Sequence, residues 1–132
     1  MGHHPRDRPG GVVTRDDGRV VVACCRVAAT PLTRLIGLLG TTTLDSGDGV
    51  WLTPCRGVHT LAMRMPIACA LLDGDGVVLA VRDPLPPWRT FGAAGARSAL
   101  ECAPGALADV GVGDVLRLGP ARAPRRPRRP GG

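Results

Sequence analysis

One short segment of the chain contains most of its chemically capable side chains. Cys55, Arg56, His59 and Thr60 lie almost side by side, and Met63 follows closely. A thiol, a guanidinium and an imidazole this near in sequence could form a nucleophile pair, a soft-metal site or an anion-binding pocket. Each of these chemistries requires a different geometry, so each predicts a different structure around the segment.

A metal site is the least compatible with the spacing. Cys55, His59 and Met63 recur at every fourth residue, and their sulfur and nitrogen atoms suit copper or zinc. In an extended strand, however, four residues span about 13 Å, which is too far for two side chains to share one ion. Only a bend at Gly57 or a helical turn would bring Cys55 near His59. We therefore predict no metal and no cofactor, and keep a copper or zinc protein as an alternative.

An enzyme would use Cys55 as its nucleophile and His59 as the base. This pair requires the imidazole within hydrogen-bond reach of the thiol and a third group that orients the ring. Glu101 and Asp73 are candidate orienting carboxylates, but nothing in the sequence places either one beside His59. A lone histidine inside a domain is usually a hydrogen-bonded structural residue. Whether the chain is an enzyme therefore stays open at this point.

A small-ligand pocket is the function that we favour from these residues. Arg56 can hold an anion through two parallel hydrogen bonds, and His59 and Thr60 offer further polar contacts. Ligand sites usually combine an apolar wall with a few converging polar groups. For Trp51 and Met63 the simpler interpretation is core packing, and for Glu101 it is an ion pair with an arginine such as Arg56. The full set of candidate ligand-binding residues is Trp51, Cys55, Arg56, His59, Thr60, Met63, Trp88 and Glu101.

Turn signals predict the elements that position these residues. Asp16-Asp17-Gly18 between β-branched runs predicts a hairpin, and Asp73-Gly74-Asp75-Gly76 predicts a second turn. A threonine N-cap, a following proline and apolar residues at helical spacing predict one short amphipathic helix at about 31–39. A single helical turn near 104–109 is a further expectation.

The remaining runs predict a mainly β fold. Val58–Met63 has the composition of a strand, whereas Asp83–Gly95 contains three prolines and Trp88 and predicts a long loop of the kind that covers a site. We expect about seven to eight short strands, with a turn signal roughly every ten residues. This pattern lacks an alternating strand–helix rhythm and predicts a single compact β-sandwich or squashed barrel.

Composition divides the chain into three parts. A 132-residue chain that is 44% apolar is long enough for one folded domain, which excludes a collagen, a coiled coil and a multi-domain enzyme. All 17 cationic residues are arginine, and without the five in 119–132 there are 12 against 11 acidic residues. We expect a flexible N-terminal arm at 1–11, one β-rich domain at 12–118 and a disordered Arg/Pro-rich tail at 119–132. Weak polyanion binding by the tail is a further hypothesis.

The sequence also predicts a compartment. The polar start of the chain lacks the apolar stretch of a signal peptide, and the longest apolar run, Ile67–Leu72, is far shorter than a membrane span. Five cysteines are an odd number and contain no CxxC pair, which weakens a disulfide framework. We expect a soluble, cytoplasmic protein with no membrane partner, whose oligomeric state the sequence leaves open.

Several short segments form a series along the chain: RLIGLLG at 34–40, VWLTPCRGVHTLAM at 50–63, Pro66 to Asp73 with its Asp-Gly turn, Ala99-Leu100-Glu101 followed by Gly105, and Gly113-Asp114-Val115. In this order and spacing they resemble an uncharacterised bacterial and archaeal family, domain of unknown function 192. The resemblance covers residues 20–118 and implies a compact, mainly β domain without an established reaction. Relatives commonly have aspartate where this sequence has Ala68, so any role of that carboxylate is absent or reassigned here.

Overall fold

The structure is a computed structural model, and it describes residues 8–28, 47–61, 63 and 65–120. These residues form nine strands, which confirms the mainly β prediction with slightly more strands than expected. The predicted helix at 31–39 lies outside the described residues. The strands are β1 (Arg8–Arg15), β2 (Val20–Ala28), β3 (Asp48–Leu52), β4 (Gly57–His59), β5 (Ile67–Leu72), β6 (Val78–Leu85), β7 (Thr90–Gly92), β8 (Ser98–Cys102) and β9 (Leu116–Pro120).

Seven of these strands form one large sheet, and the other two form a small one. The order in the large sheet is β6-β5-β8-β3-β2-β1-β9, and the small sheet pairs β4 with β7. Every pairing is antiparallel except that of β2 with β3, which is parallel. Parallel neighbours require a long crossover connection, and here the chain between them is 29–47.

The predicted hairpin joins β1 to β2. The amide of Gly18 donates to the Arg15 carbonyl at 2.9 Å, and the amide of Arg15 donates to the Arg19 carbonyl at 2.9 Å. Gly18 has a φ of 87°, the left-handed conformation that closes a three-residue hairpin loop. The Asp17 carboxylate accepts a hydrogen bond from the Arg19 amide at 3.0 Å. The aspartate and glycine that predicted the turn are therefore the residues that stabilise it.

The two outer strands of the large sheet approach each other at one end, which curls the sheet into a half-barrel. Val77, just before β6, forms an antiparallel bridge with Val115, just before β9. Next to this bridge, the Leu116 amide donates to the Gly76 carbonyl at 2.9 Å. A Cβ atom at Gly76 would lie 2.5 Å from the Leu116 carbonyl oxygen, so only glycine allows this close approach of the two backbones.

The large sheet carries an apolar layer on each face. Side chains alternate along a strand, so β8 directs Leu100 and Cys102 to one face and Ala99 to the other. The first layer includes Leu100, Cys102, Val22, Cys25 and Leu116, all at most 1% exposed. The second layer lies between the large and small sheets. It includes Val50, Leu52, Cys69, Leu71 and Ala99 of the large sheet, with Val58 and Phe91 of the small sheet packed against them.

Two sequence expectations differ from the structure around β4. The predicted strand Val58–Met63 ends at His59, because Thr60 turns its hydroxyl to a neighbouring loop rather than continuing the strand. The predicted loop Asp83–Gly95 contains the end of β6 and all of β7. Thr90–Gly92 pairs with β4, a long-range partner that local turn signals could not reveal.

The expected helical turn near 104–109 is a run of hydrogen-bonded turns. The amides of Ala106, Ala108 and Val110 each donate to the carbonyl three residues earlier, at 3.1, 3.2 and 3.0 Å. The Asp83 carboxylate fixes the start of this run, because it accepts the amides of Gly105 and Leu107 at 2.8 and 2.9 Å. β1 begins at Arg8, and β9 extends through Pro120.

Candidate functional site

A cavity of about 280 Å³ opens where the small sheet meets the large one. Leu52 and Glu101 come from the large sheet. The other lining residues belong either to the connection between β3 and β4 or to β4. The cavity therefore borders the second apolar layer. Its lining consists of Leu52, Pro54, Cys55, Arg56, Gly57, Val58, His59 and Glu101.

The pairing of β3 with β8 places the two large-sheet residues side by side. Val50 is opposite Glu101 and Leu52 is opposite Ala99, so Leu52 and Glu101 extend from the same face. The chain leaves β3 at Leu52 and is held near β8 by the Cys55 amide, which donates to the Arg97 carbonyl at 2.8 Å. The connection thus stays against the face from which Glu101 extends.

Gly57 allows the small sheet to form tightly beside this connection. A Cβ atom there would lie 3.1 Å from the Phe91 carbonyl oxygen and 3.3 Å from the Gly92 Cα atom. A larger residue would push β4 away from β7. Gly57 therefore keeps Val58 and His59 in register with Phe91 and Thr90.

Glu101 is a buried carboxyl group at the inner end of the cavity. It is only 2% exposed, and its cross-strand neighbours on the same face are Val50 and Cys69. Burial raises the pKa of Glu101 to about 8, because a charged carboxylate loses its hydration in an apolar layer. The side chain is therefore mainly protonated at neutral pH.

The sequence suggested an ion pair between Glu101 and an arginine such as Arg56, and the described residues do not form it. Their ion pairs are Arg15 with Asp17, Arg15 with Asp114, and Arg19 with Asp109. Neither Glu101 nor Arg56 has a side-chain hydrogen bond within this part of the chain. The reason is positional, because Glu101 is buried in the second layer while Arg56 is exposed.

Cys55 is half-buried beside Glu101. Its Sγ atom donates to the Gly57 carbonyl at 3.1 Å. Burial raises the pKa of the Cys55 thiol, and the nearby Glu101 carboxylate adds to that rise. Both effects favour the neutral thiol, whereas a nucleophilic cysteine requires a lowered pKa.

Arg56 and His59 form the exposed, polar side of the cavity. In β4 the side chains alternate, so Val58 packs against the second layer while Gly57 and His59 remain exposed. Arg56 precedes the strand and is exposed as well. The cavity thus has a guanidinium and an imidazole on its open side and a carboxyl group at its inner end.

Thr60 is a sequence candidate that the structure places outside the cavity lining. It is fully buried, and its hydroxyl donates to the Pro86 carbonyl at 2.6 Å and accepts the Arg89 amide at 2.9 Å. Its backbone carbonyl accepts the Trp88 amide at 2.9 Å. Thr60 therefore ties the end of β4 to the loop between β6 and β7.

Three other candidates also lie away from the cavity lining. Trp51 is opposite Leu100 and packs against the first layer, on the face of the sheet remote from Glu101. Met63 is 6% exposed and belongs to the second layer, as the core-packing interpretation predicts. Trp88 is 63% exposed, with a φ of 62°.

The structure adds three apolar lining residues that were not among the sequence candidates. Leu52, Pro54 and Val58 form the apolar wall of the cavity. Pro54 and Val58 are immediate sequence neighbours of Cys55 and His59, and Leu52 follows Trp51. The rule that ligand pockets pair polar groups with an apolar wall could have suggested them, but which neighbours face inward depends on the register of β3 and β4.

Two negative findings apply to the described residues alone. Within them, no three His, Cys, Asp or Glu side chains converge in a way that could hold a metal ion. In the same ranges there is also no helix with the length and apolar character needed to cross a membrane.

Comparisons with known proteins bear on the fold and the family. The model of domain of unknown function 192, described as "Uncharacterized ACR", matches residues 12–118. A search of curated proteins gave no match.

Two crystal structures have a similar fold. One is a "putative transcription regulator" from Sinorhizobium meliloti 1021, with a TM-score of 0.67 and 16% identity over 89% of this chain and 98% of that one. The other is a protein of unknown function from Novosphingobium aromaticivorans DSM 12444, with a TM-score of 0.64 and 21% identity over 89% of this chain and 91% of that one. At these identities the likeness shows the fold alone.

Proposed function

The chain belongs to the family of domain of unknown function 192, whose description names no activity. From the site itself, we propose that the domain binds a small organic anion beside Arg56 and His59. The observation that carries this proposal is the cavity, which joins the exposed guanidinium of Arg56 and imidazole of His59 to an apolar wall and a buried carboxyl group. This combination is typical of small-molecule sites.

Arg56 is the main anion-binding group in this proposal. Its guanidinium is exposed and has no ion pair with any described residue, so its donors are available to a carboxylate or phosphate. A bidentate contact of this kind is stronger than a neutral hydrogen bond and also orients the ligand. His59 supplies a second polar contact from the same side of the cavity.

Thr60 has a positioning role in the proposal. The site centres on Arg56, His59 and Thr60, but the Thr60 hydroxyl is occupied by backbone partners of the loop between β6 and β7. It therefore supports the end of β4, where His59 lies, rather than contacting the ligand.

A Cys55–His59 enzyme receives less support. The thiol is hydrogen-bonded to the Gly57 carbonyl, and its pKa is raised and not lowered. A nucleophilic cysteine requires the thiolate and a neighbouring base. These observations favour a binding role for the segment.

The test uses Cys55 as a reporter of cavity occupancy. Butyrate and inorganic phosphate are titrated into the full chain, and alkylation of individual cysteines by iodoacetamide is followed by mass spectrometry. A bound anion should slow the alkylation of Cys55 in a saturable way. Cys24 is exposed on β2 and should react at an unchanged rate, so it serves as the internal control.

A pair of arginine variants completes this test. Arg56→Ala should weaken anion binding about tenfold or more, because a hydrogen bond to a charged group contributes roughly 1.5–3 kcal/mol. Arg117→Ala removes a comparably exposed arginine from β9 and should bind as the natural chain does. Absence of protection by either anion, or equal binding by the two variants, would overturn the proposal.

A cytoplasmic location is part of the proposal and is supported by the cysteines. All five are free thiols, whereas small domains of oxidising compartments usually pair theirs. Fractionation of cells that produce the chain, with an antibody against it, tests the location.

Weak polyanion contact through the Arg-rich tail is a separate proposal. It rests on the arginines at 122, 125, 126, 128 and 129, and residues 121–132 lie outside the described ranges. If deletion of 121–132 leaves binding to heparin unchanged, the tail has no such role.

A further inference from the structure

The candidate cavity has two ends of opposite chemical character. Its open side carries Arg56 and His59, both exposed, and its inner end carries Glu101, which is 2% exposed. Leu52 and Val58 form the apolar wall along with Pro54. An anion bound at Arg56 and His59 accounts for only one of these ends, so the buried carboxyl group needs a separate explanation.

The groups around Glu101 offer it no counter-charge within the described residues. Its neighbour on β3 is Val50, which cannot ionise, and its neighbour on β5 is Cys69. Burial raises the pKa of the Cys69 thiol well above its usual range, so that group stays neutral. Cys55, on the connection to β4, is likewise held as a neutral thiol. The other polar side chains of the cavity are Arg56 and His59, and both lie on its open side.

A carboxylate in such an apolar layer is costly unless a donor or a cation reaches it. An ammonium group that enters the cavity would supply both the hydrogen bond and the charge. Charge-assisted hydrogen bonds are roughly twice as strong as neutral ones, and they gain further strength in a poorly hydrated site.

Building on the proposed function, we propose that the ligand is amphoteric, with an anionic group at Arg56 and His59 and a protonated amine that pairs with the Glu101 carboxylate. An apolar segment between these two groups would lie against Leu52 and Val58. The chemical class is therefore a short ω-amino acid or a molecule with the same two ends.

Pairing of the ligand amine with Glu101 predicts that binding is coupled to the release of a proton. With the pKa of Glu101 raised to about 8 in the free chain, the side chain carries a proton at pH 7. An ammonium ligand favours the carboxylate form, so binding should release that proton. Affinity should rise as the pH increases toward 8 and then level off, because Glu101 is already ionised above that pH.

The experiment compares matched acids with and without the amine. Glycine, β-alanine, 4-aminobutyrate and 5-aminovalerate are each paired with the corresponding simple acid, from acetate to valerate. Binding to the full chain at pH 7 is measured by calorimetry in two buffers with different ionisation heats, which gives the number of protons released. At least one amino acid of the series should bind about tenfold more tightly than its simple acid and release about one proton.

Three variants assign this behaviour to residues. Glu101→Gln keeps the size of the side chain and should abolish both the amine preference and the proton release. Arg56→Ala should weaken the binding of the amino acids and of the simple acids to the same extent. His59→Ala should still release the proton, which excludes the imidazole as its source. Proton release by the natural chain requires no variant, so the test does not depend on the folding of Glu101→Gln.

The outcomes separate this inference from the proposed function. If the simple acids bind in an Arg56-dependent way and the amine adds neither affinity nor proton release, the anion site stands and the inference is wrong. Affinity that falls between pH 7 and pH 8, where the ligand amine stays protonated, would also overturn it, since the ligand would then accept a hydrogen bond from a neutral carboxyl group. If nothing in either series binds, the proposed function itself fails.

Discussion

The two apolar layers of the large sheet share the same strands and yet differ in kind. On one face, Leu100 and Cys102 of β8 join a layer whose described members are apolar side chains and free thiols. On the other face, Ala99 belongs to a layer that ends at a cavity and borders Glu101. Neighbouring residues of β8 therefore contribute to two different environments, a closed apolar core on one face and an accessible cavity on the other.

This difference follows from what covers each face. The first layer joins side chains of several strands of the large sheet with Leu107 and Val110 of the turns at 104–110, and the Val77–Val115 bridge connects the two outer strands. The second layer is covered by the small sheet of three-residue strands. A cover this short leaves part of the layer open, and the polar residues of the chain's densest segment line that opening. Stability and binding can then be altered independently.

The largest expected effect comes from a cavity made in the first layer. Leu100 is fully buried there, so Leu100→Ala should lower the free energy of unfolding by about 2–5 kcal/mol. Urea denaturation followed by tryptophan fluorescence measures this, because Trp51 packs against the same layer.

The matched control for this change is Leu61→Ala. Leu61 is 43% exposed, and surface substitutions usually change stability by about 0.5 kcal/mol or less. If the two variants were equally destabilised, or if Leu100→Ala weakened anion binding under conditions where it stays folded, the two layers would not be independent.

The next effect is the pH dependence that Glu101 gives to the second layer. Its pKa is raised from 4.5 to about 8 in the folded chain, so the folded state retains a proton that the unfolded chain releases. The contribution of Glu101 to the free energy of unfolding is largest below about pH 4.5. It falls as the pH rises to 8, by at most ~1.4 kcal/mol per pH unit. Glu101→Gln should remove this slope.

The measurement is urea denaturation of the natural chain and Glu101→Gln between pH 4.5 and 8.5. Both proteins contain the same buried thiols, such as Cys25, whose pKa burial raises to about 12, so the contribution of these thiols at the upper end of the range cancels in the comparison. Asp17→Asn is the control, because the hydrogen bond from Arg15 lowers the pKa of Asp17 to about 2 and confines its effect to more acidic solutions. If the free energy of unfolding changed with pH in the same way for the natural chain and Glu101→Gln, the prediction would be contradicted.

The sequence could predict the features that depend on neighbouring residues. The Asp16-Asp17-Gly18 turn, the mainly β class and the concentration of polar groups at 55–59 all come from local composition, and the structure contains each of them. Turn residues specify their own backbone geometry through glycine conformation and aspartate side chains, so no distant contact is needed to recognise them.

Features set by long-range pairing could not be predicted in this way. β7 forms inside a predicted loop because Phe91 and its neighbours pair with β4. Glu101 lies in the cavity and Trp51 on the opposite face because of the register between β3 and β8. A shift of one residue would exchange the two faces, and nothing local in the sequence fixes that register.

The smallest of the three effects concerns the cover of the second layer. Thr60→Val removes the hydroxyl that links the Pro86 carbonyl to the Arg89 amide and keeps the shape of the side chain. Two backbone groups then lose a partner at a part-buried site, which should cost about 1–3 kcal/mol. Thr60→Ser keeps the hydroxyl and should recover most of this loss. Because the link holds the end of β4, Thr60→Val should also speed amide hydrogen exchange in β4 and β7 more than in β1 and β9. Uniform acceleration across all four strands would mean that the small sheet is not a separate cover but part of one continuous core.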